Sequence, residues 1–146
     1  MLTLIDTLAV IVSKVESVLS NCSVSSQDIA EGFERNTIYI YFDGIRQNDY
    51  MKKFVEKNIK IIMVYFPTDK RKNTIELLEV QDKLMELFTE GDAIKLKDGV
   101  YANIEEIYTF RHEGTLQFEC DAYIFEEYDE VEHEFMEELT HKEGGK

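Results

Sequence analysis

The stretch from Val55 to Phe66 constrains the fold more than any other part of this sequence. Its second half, from Ile61 onward, is apolar on both faces of a strand, because consecutive strand side chains point to opposite sides. Such runs are typical of inner strands covered on both faces. Pro67 ends the run, since proline lacks the N–H that a strand ladder needs. The sequence therefore predicts a sheet with this strand inside it.

Two amphipathic helices are predicted beside that sheet. Apolar residues at spacings of three and four indicate a helix over about residues 3–19. Asn73, with Glu76 three residues later, has the pattern of a capping box and predicts a second helix over about residues 74–89. The apolar stripes are Ile5, Leu8, Val12, Val15 and Leu19 in the first helix and Leu77, Val80, Leu84, Leu87 and Phe88 in the second.

Shorter runs of β-branched and aromatic residues predict the remaining strands. Asp43-Gly44 is a turn signal after the first of them, and residues 45–52 are predicted as a loop or a short edge strand. The predicted strands are residues 37–42, 94–96, 100–110 and 115–125, of which the last two form a hairpin.

The order of these elements predicts an α+β fold. Strands that are neighbours in sequence are joined by short turns, so we expect a mostly antiparallel sheet, with an N-terminal helix and one long central helix packed on it. With 146 residues, one proline and seven glycines, the chain has no linker that would separate two domains. We expect a single domain over residues 1–126 and an acidic C-terminal arm over residues 127–146, helical or partly disordered.

The acidic arm carries an apolar stripe. From Glu119 to Lys146 the chain holds 11 Asp or Glu residues against two lysines, which supplies −9 of the formal net charge of −14. A solvating tail has no use for apolar residues at helical spacing, so the stripe is predicted to dock on another surface; the bland alternative is that it folds back on its own domain. The stripe consists of Tyr128, Val131, Phe135 and Leu139.

Charge and composition exclude several classes of protein. A net charge of −14 argues against binding the phosphate backbone of nucleic acids. Residues 2–12 have neither the basic start of a secretory signal nor the length of a membrane span, so no membrane role is expected and the protein is predicted to be cytoplasmic where it is made. Cys22 and Cys120 match no metal or redox spacing.

No motif for catalysis is present in the sequence. It has no nucleophile elbow and no glycine-rich phosphate loop. Glu132-His133-Glu134 is the densest set of potential metal ligands, but a solvated acidic helix face explains the same residues without any metal. Adjacent carboxylates occur at Glu105-Glu106 and Glu126-Glu127, as expected by chance among 30 acidic residues. We expect no enzymatic activity and no catalytic, metal or cofactor-binding residues.

The segment Ile61-Ile-Met-Val-Tyr-Phe-Pro67, followed by the capped helix and the Asp98-Gly99-Val100 strand start, resembles the tail terminator (tail completion) proteins of tailed phages and prophages. The likeness is to the group found in contractile-tailed phages and phage-tail-like particles of Gram-positive bacteria. It covers roughly residues 1–126 and leaves the acidic arm out. Tyr65-Phe66-Pro67 is its one short sequence mark.

The resemblance implies a structural virion protein. Members form a hexameric ring on the head-proximal end of the tail tube, stop tube growth and provide the surface that joins the head connector protein. In contractile tails the ring also meets the sheath protein. The implied partners are thus further copies of the chain, the tube protein, the connector and the sheath, in a virion assembled in the host bacterial cytoplasm.

A terminator ring must let DNA pass without binding it, and carboxylates in its lumen would repel phosphates. The candidate lumen-facing acids are Glu105, Glu106, Glu119 and Asp121, or alternatively the acids of the arm. Two alternatives stay open on the sequence alone. One is an acidic DNA mimic or regulator that binds a DNA-binding protein, and the other is an enzyme with carboxylates converging in a pocket.

Overall fold

The apolar run forms β3 (Phe54–Phe66) of a six-stranded sheet. The structure is a computed structural model that describes residues 1–26, 35–89 and 93–128. Strand order is β1-β2-β3-β6-β5-β4, so β3 is an inner strand, as predicted. The other elements are α1 (Leu4–Val18), β1 (Ser23–Ser25), β2 (Thr37–Tyr50), α2 (Thr74–Thr89), β4 (Ala93–Lys97), β5 (Val100–His112) and β6 (Thr115–Glu127).

The predicted α+β fold with one long central helix is wrong. Strands make up 52% of the structure, and the six-stranded sheet is mixed and curls into a half-barrel that carries two short helices. The parallel ladder joins β1 to β2, while the other four ladders are antiparallel. The helix assigned as central, α2, is only 16 residues long. Strands dominate because β2, β5 and β6 run further than their apolar cores suggest.

The turn predicted at Asp43-Gly44 is also wrong. β2 continues through it to Tyr50, and the ladder with β3 absorbs the extra residues as a register shift between Phe42 and Ile45. A β-bulge of this kind keeps a strand paired while bending it. The second half of β2 could not be distinguished from a loop in the sequence, because the residues after the bulge are mostly polar and exposed and show no apolar alternation.

The hairpin of β5 and β6 is tighter than predicted. Only Glu113 and Gly114 lie between the strands, and both have positive φ, 50° and 77°. Two consecutive residues with positive φ form the two-residue turn whose twist matches that of the flanking strands. The strands therefore pair out to His112 and Thr115.

Both helices pack on one face of the sheet, called here the inner face. Thr3 caps α1, accepting a hydrogen bond at Oγ1 from the Asp6 N–H at 3.0 Å. The rings of Phe88 on α2 and Phe118 on β6 lie 5.4 Å apart, and Phe118 is fully buried. The inner core also buries Ile11 and Val15 of α1, Leu77 and Leu84 of α2, and Ile59, Ile61 and Met63 of β3.

The opposite face of the sheet, the outer face, has a smaller buried cluster. Ile62, Val64, Phe66 and Tyr39 are each at most 7% exposed, and the rings of Tyr39 and Phe66 meet edge to face at 5.5 Å. The second half of β3 is therefore covered on both sides, as its sequence predicts.

Candidate assembly surface

The Tyr65-Phe66-Pro67 motif anchors the connection between β3 and α2. The Tyr65 hydroxyl donates a hydrogen bond to Glu76 Oε1 at 2.8 Å and lies 3.1 Å from Asn36 Oδ1. The same carboxylate accepts the backbone N–H of Thr68 at 2.9 Å and its hydroxyl at 2.8 Å. Glu76 therefore links the chain after Pro67 to the first turn of α2 by hydrogen bonds.

The Glu76 carboxylate is stabilised in its charged form. Partial burial works to raise the pKa of Glu76, but the hydrogen bonds donated by Thr68 and Tyr65 outweigh it, so that pKa lies below its ordinary value of 4.5. Burial and the hydrogen bond to Glu76 raise the pKa of the Tyr65 hydroxyl, which keeps it protonated as the donor. Glu76 was predicted as part of a capping box, and its side chain reaches Thr68 instead.

Replacing Glu76 with glutamine is expected to lower the free energy of unfolding by about 1 kcal/mol at pH 7, because charge-assisted hydrogen bonds become neutral ones. Since folding lowers the pKa of Glu76, its contribution is complete above pH 4.5 and is lost as pH falls through the folded pKa. Urea unfolding at pH 7 and pH 3.5 would measure this. A gap between wild type and Glu76→Gln that stays constant over this range, or a matching loss in exposed Glu79→Gln, would contradict the assignment.

Three of the four candidate lumen acids lie together on the outer face. Glu105 of β5 and Asp121 of β6 are register partners, and Glu119 lies two residues before Asp121 on the same face. Lys60 of β3 is the register partner of Asp121, and its Nζ lies 3.7 Å from Glu119 Oε2. The outer face thus holds three carboxylates near Lys60, and Arg46 of β2 lines the same depression as Lys60 and Asp121. Glu106, the fourth, sits in the β5 bulge with φ 53° and is exposed.

The tip of the β2–β3 hairpin holds the start of the acidic arm. The Tyr128 N–H donates to the Lys53 carbonyl at 2.8 Å, and its hydroxyl donates to Asp49 Oδ1 at 3.0 Å. Next to it, Phe125 stacks on Phe54 at 4.9 Å and meets Tyr50 edge to face at 6.0 Å.

Tyr128, the first residue of the predicted docking stripe, therefore packs on its own chain. The other three residues of that stripe, Val131, Phe135 and Leu139, lie outside the described residues.

Both edges of the sheet are only half covered among the described residues. β1 pairs with Thr37–Tyr39 of β2, which leaves residues 40–50 without a strand on that side in the described chain. β4 pairs with β5 only over residues 100–103, which leaves residues 104–112 similarly open within the described ranges. An edge strand over residues 45–52 was one of two alternatives in the sequence, whereas the open half of β5 left no local pattern, because strand pairing joins distant segments.

A buried polar cluster ties the N-terminus to the sheet. Glu126, 3% exposed, accepts the Leu2 N–H at 2.9 Å and pairs with Lys97 Nζ at 2.6 Å. The Leu2 carbonyl accepts a hydrogen bond from Lys57 Nζ at 3.1 Å, and Lys57 is 7% exposed. The N–H and the carbonyl of Leu2 are thus both hydrogen-bonded to buried side chains, so the cluster has a structural role. In sequence Glu126 was only one of an adjacent pair, and its alternation with Ile124 was the signal that it points inward.

In residues 1–26, 35–89 and 93–128, no group of three or more His, Cys, Asp and Glu side chains could hold a metal ion. Burial raises the pKa of the Cys120 thiol to about 12, with the Asp121 charge adding to the shift, so this thiol stays protonated. No helix in the described part of the chain has the length and apolar character needed to cross a membrane.

Comparison with known proteins agrees with a structural role. The family described as phage tail terminator protein matches this chain over residues 6–134, which is most of its length. The match runs from α1 through the whole sheet and into the acidic arm. No curated protein matches the chain. On the strength of the family match, the chain belongs to the phage tail terminator proteins.

Proposed function

We propose that six copies of this chain form a ring on the head-proximal end of a phage tail tube, where the ring stops tube growth and joins the head connector. Family membership gives the coarser role, that of a structural tail-completion protein of a phage. The observation that supports the ring is the pair of non-equivalent open sheet edges. A closed head-to-tail ring needs two different patches on each subunit.

The partners follow from that position. The tube protein lies on one side of the ring and the connector on the other, and in a contractile tail of a phage or tail-like particle from a Gram-positive host the last sheath ring would lie outside it. The acidic arm is the remaining candidate contact, with Val131, Phe135 and Leu139 gripping a neighbouring subunit or ring. Family membership favours this reading over a DNA mimic or an enzyme.

The outer face suits the lumen of such a ring. It carries Glu105, Glu119 and Asp121, while the helices cover the inner face. Carboxylates facing passing DNA repel its phosphates and offer it no gain from counterion release. We therefore propose that the outer face points to the DNA and the helices point away from it.

Tube assembly in the presence of this protein tests the proposal. Purified tube protein should polymerise without a length limit when alone, and adding the chain should cap tubes at one end and stop their growth there. Electron microscopy would record tube length and the ring at the tube end. Free chain that never binds tubes, or tubes whose growth is unaffected, would count against the proposal.

A further inference from the structure

We propose that neighbouring subunits of the ring join by pairing the open half of β2 in one copy with the open half of β5 in the next, an interface that rests on the proposed function. An exposed strand edge presents a row of N–H and C=O groups that another strand can satisfy. Each edge strand has a bulge, between Phe42 and Ile45 in β2 and between Glu105 and Tyr108 in β5. Regular pairing is therefore confined to residues 45–50 and 108–112, beyond the bulges.

The positions of these two segments set the geometry of the contact. β2 and β5 run in opposite directions in the sheet, so copies related by rotation would pair them antiparallel. Residues 45–50 lie towards the β2–β3 turn, whereas residues 108–112 lie towards the opposite end of the sheet, next to Thr115. Each copy must be displaced along the strands by about six residues, or roughly 20 Å. A repeated displacement of this kind inclines strands to the ring axis, as in closed barrels.

Exposed apolar side chains flank the open half of β5 on both faces. On the outer face, the rings of Tyr108 and Phe110 lie 5.2 Å apart, and Tyr108 is 59% exposed. On the inner face, Met85 Sδ of α2 lies 4.0 Å from Thr109 Oγ1, which places α2 along this segment. The exposed apolar residues of that helix are Ile75, Leu78 and Met85.

The open half of β2 carries matching residues. Tyr50 lies on the outer face and Ile45 on the inner face, and the two are 51% and 43% exposed. Pairing with β5 would bury both against the apolar groups that flank it. Exposed apolar side chains grouped along two open edges are typical of interaction sites.

Charge complementarity supports a second copy as the occupant. Antiparallel pairing of residues 45–48 with 111–108, in which directly opposed residues share a face, brings the β2–β3 turn of one copy beside the β5 bulge of the next. The turn carries Lys52 and Lys53, both exposed, and the bulge carries Glu105 and Glu106, also exposed. Opposite charges at the two ends of a contact fix its register and disfavour wrong pairings.

A charge exchange in the full-length chain tests this interface. The double variants Lys52→Glu/Lys53→Glu and Glu105→Lys/Glu106→Lys should each raise the concentration needed for half-maximal ring formation on tubes by at least about tenfold. The quadruple variant should return to within about threefold of wild type, because its charges are complementary again. Lys14→Glu/Lys83→Glu, with the same change of charge at exposed helix positions, should assemble as wild type does.

Cross-linking gives a second readout that does not depend on the strength of assembly. In a Cys22→Ser chain, Met51→Cys and Glu106→Cys should be joined between subunits by a short bismaleimide, giving ladders on a denaturing gel. Within one chain these positions are roughly 25 Å apart, three strand spacings and about six residues along the strands. If wild type caps tubes but the double variants do so equally well, the quadruple variant shows no recovery, or no ladder forms, the strand pairing is wrong. Failure of wild type itself to assemble would instead overturn the proposed function.

Discussion

Exchanging Glu119 and Asp121 for lysine is expected to slow DNA ejection from assembled particles by at least about tenfold. Each variant subunit would present two more lysines beside Lys60, on the face proposed to line the lumen. With several subunits in a ring, phosphates would meet many cations at once, and the counterions they release would favour binding of the passing DNA. Repulsion would thus become adhesion.

The rate of DNA release after triggering, followed with a DNA-binding dye, measures this effect. The delay should shrink as salt is raised, since phosphate contacts weaken steeply with ionic strength. Glu79→Lys/Asp82→Lys makes the same change of charge on the exposed side of α2 and should eject at the wild-type rate. Wild-type ejection by the outer-face variant, or an equal delay in the helix variant, would show that the outer face does not line the lumen.

Replacing Lys97 with methionine is expected to lower the free energy of unfolding by about 2–3 kcal/mol. Lys97 Nζ lies 2.6 Å from Glu126 Oε1, and the Glu126 side chain is 3% exposed. Without that cation, a buried carboxylate keeps the Leu2 N–H but loses its close ion pair. The expected loss of stability is smaller than for a fully buried ion pair, because the Lys97 side chain is 37% exposed and water can partly take the place of its ammonium group.

Two further variants separate this cause from a general effect of losing a lysine. Glu126→Gln in the Lys97→Met chain keeps an acceptor for Leu2 and removes the unpaired charge, so it should recover more than half of the loss. Lys95→Met removes a lysine of the same strand whose partner Asp98 is fully exposed, and it should unfold like wild type. Equal losses for Lys95→Met and Lys97→Met, or no recovery in the double variant, would refute the account of this cluster.

Local patterns predicted the elements of this fold well. The apolar stripe of α2 predicted the bounds of that helix, and Pro67 predicted the end of β3. Both elements lie within a residue or two of the predicted positions. These elements are periodic over long windows, and their apolar faces are the faces they bury. β4, a short strand, was also predicted, because Ile94 and Leu96 alternate with lysines.

The sheet architecture was not predictable in the same way. β1 has only three residues, Ser23–Ser25, and is a strand because it lies parallel to the start of β2. That distant pairing makes the sheet mixed, and together with the bulge at Asp43-Gly44 it overturns the predicted class. Pairing between distant segments depends on the tertiary fold, so the sequence around β1 does not predict it. The mostly polar residues in the second half of β2 show no apolar alternation that would predict a strand.

The candidate surface was predicted in part. Strand alternation predicted that Glu119 and Asp121 point outward, and the structure places Glu105 beside them on the outer face. An edge strand over residues 45–52 was one of two alternatives, whereas the open edge of β5 was missed, since it is defined by where β4 stops. Tyr128 was assigned to a docking stripe by helical spacing, but its hydrogen bonds to Lys53 and Asp49 hold it on its own hairpin.

Electron microscopy of tubes grown with and without this chain would show whether the chain terminates the tail. Without the chain, we expect tubes of uncontrolled length. With it, we expect tubes that stop growing at one end, each ending there in a single ring whose averaged end view has six-fold symmetry. Tubes that keep growing at both ends in an excess of folded protein, with no added ring, would contradict the claim that this chain terminates the tail.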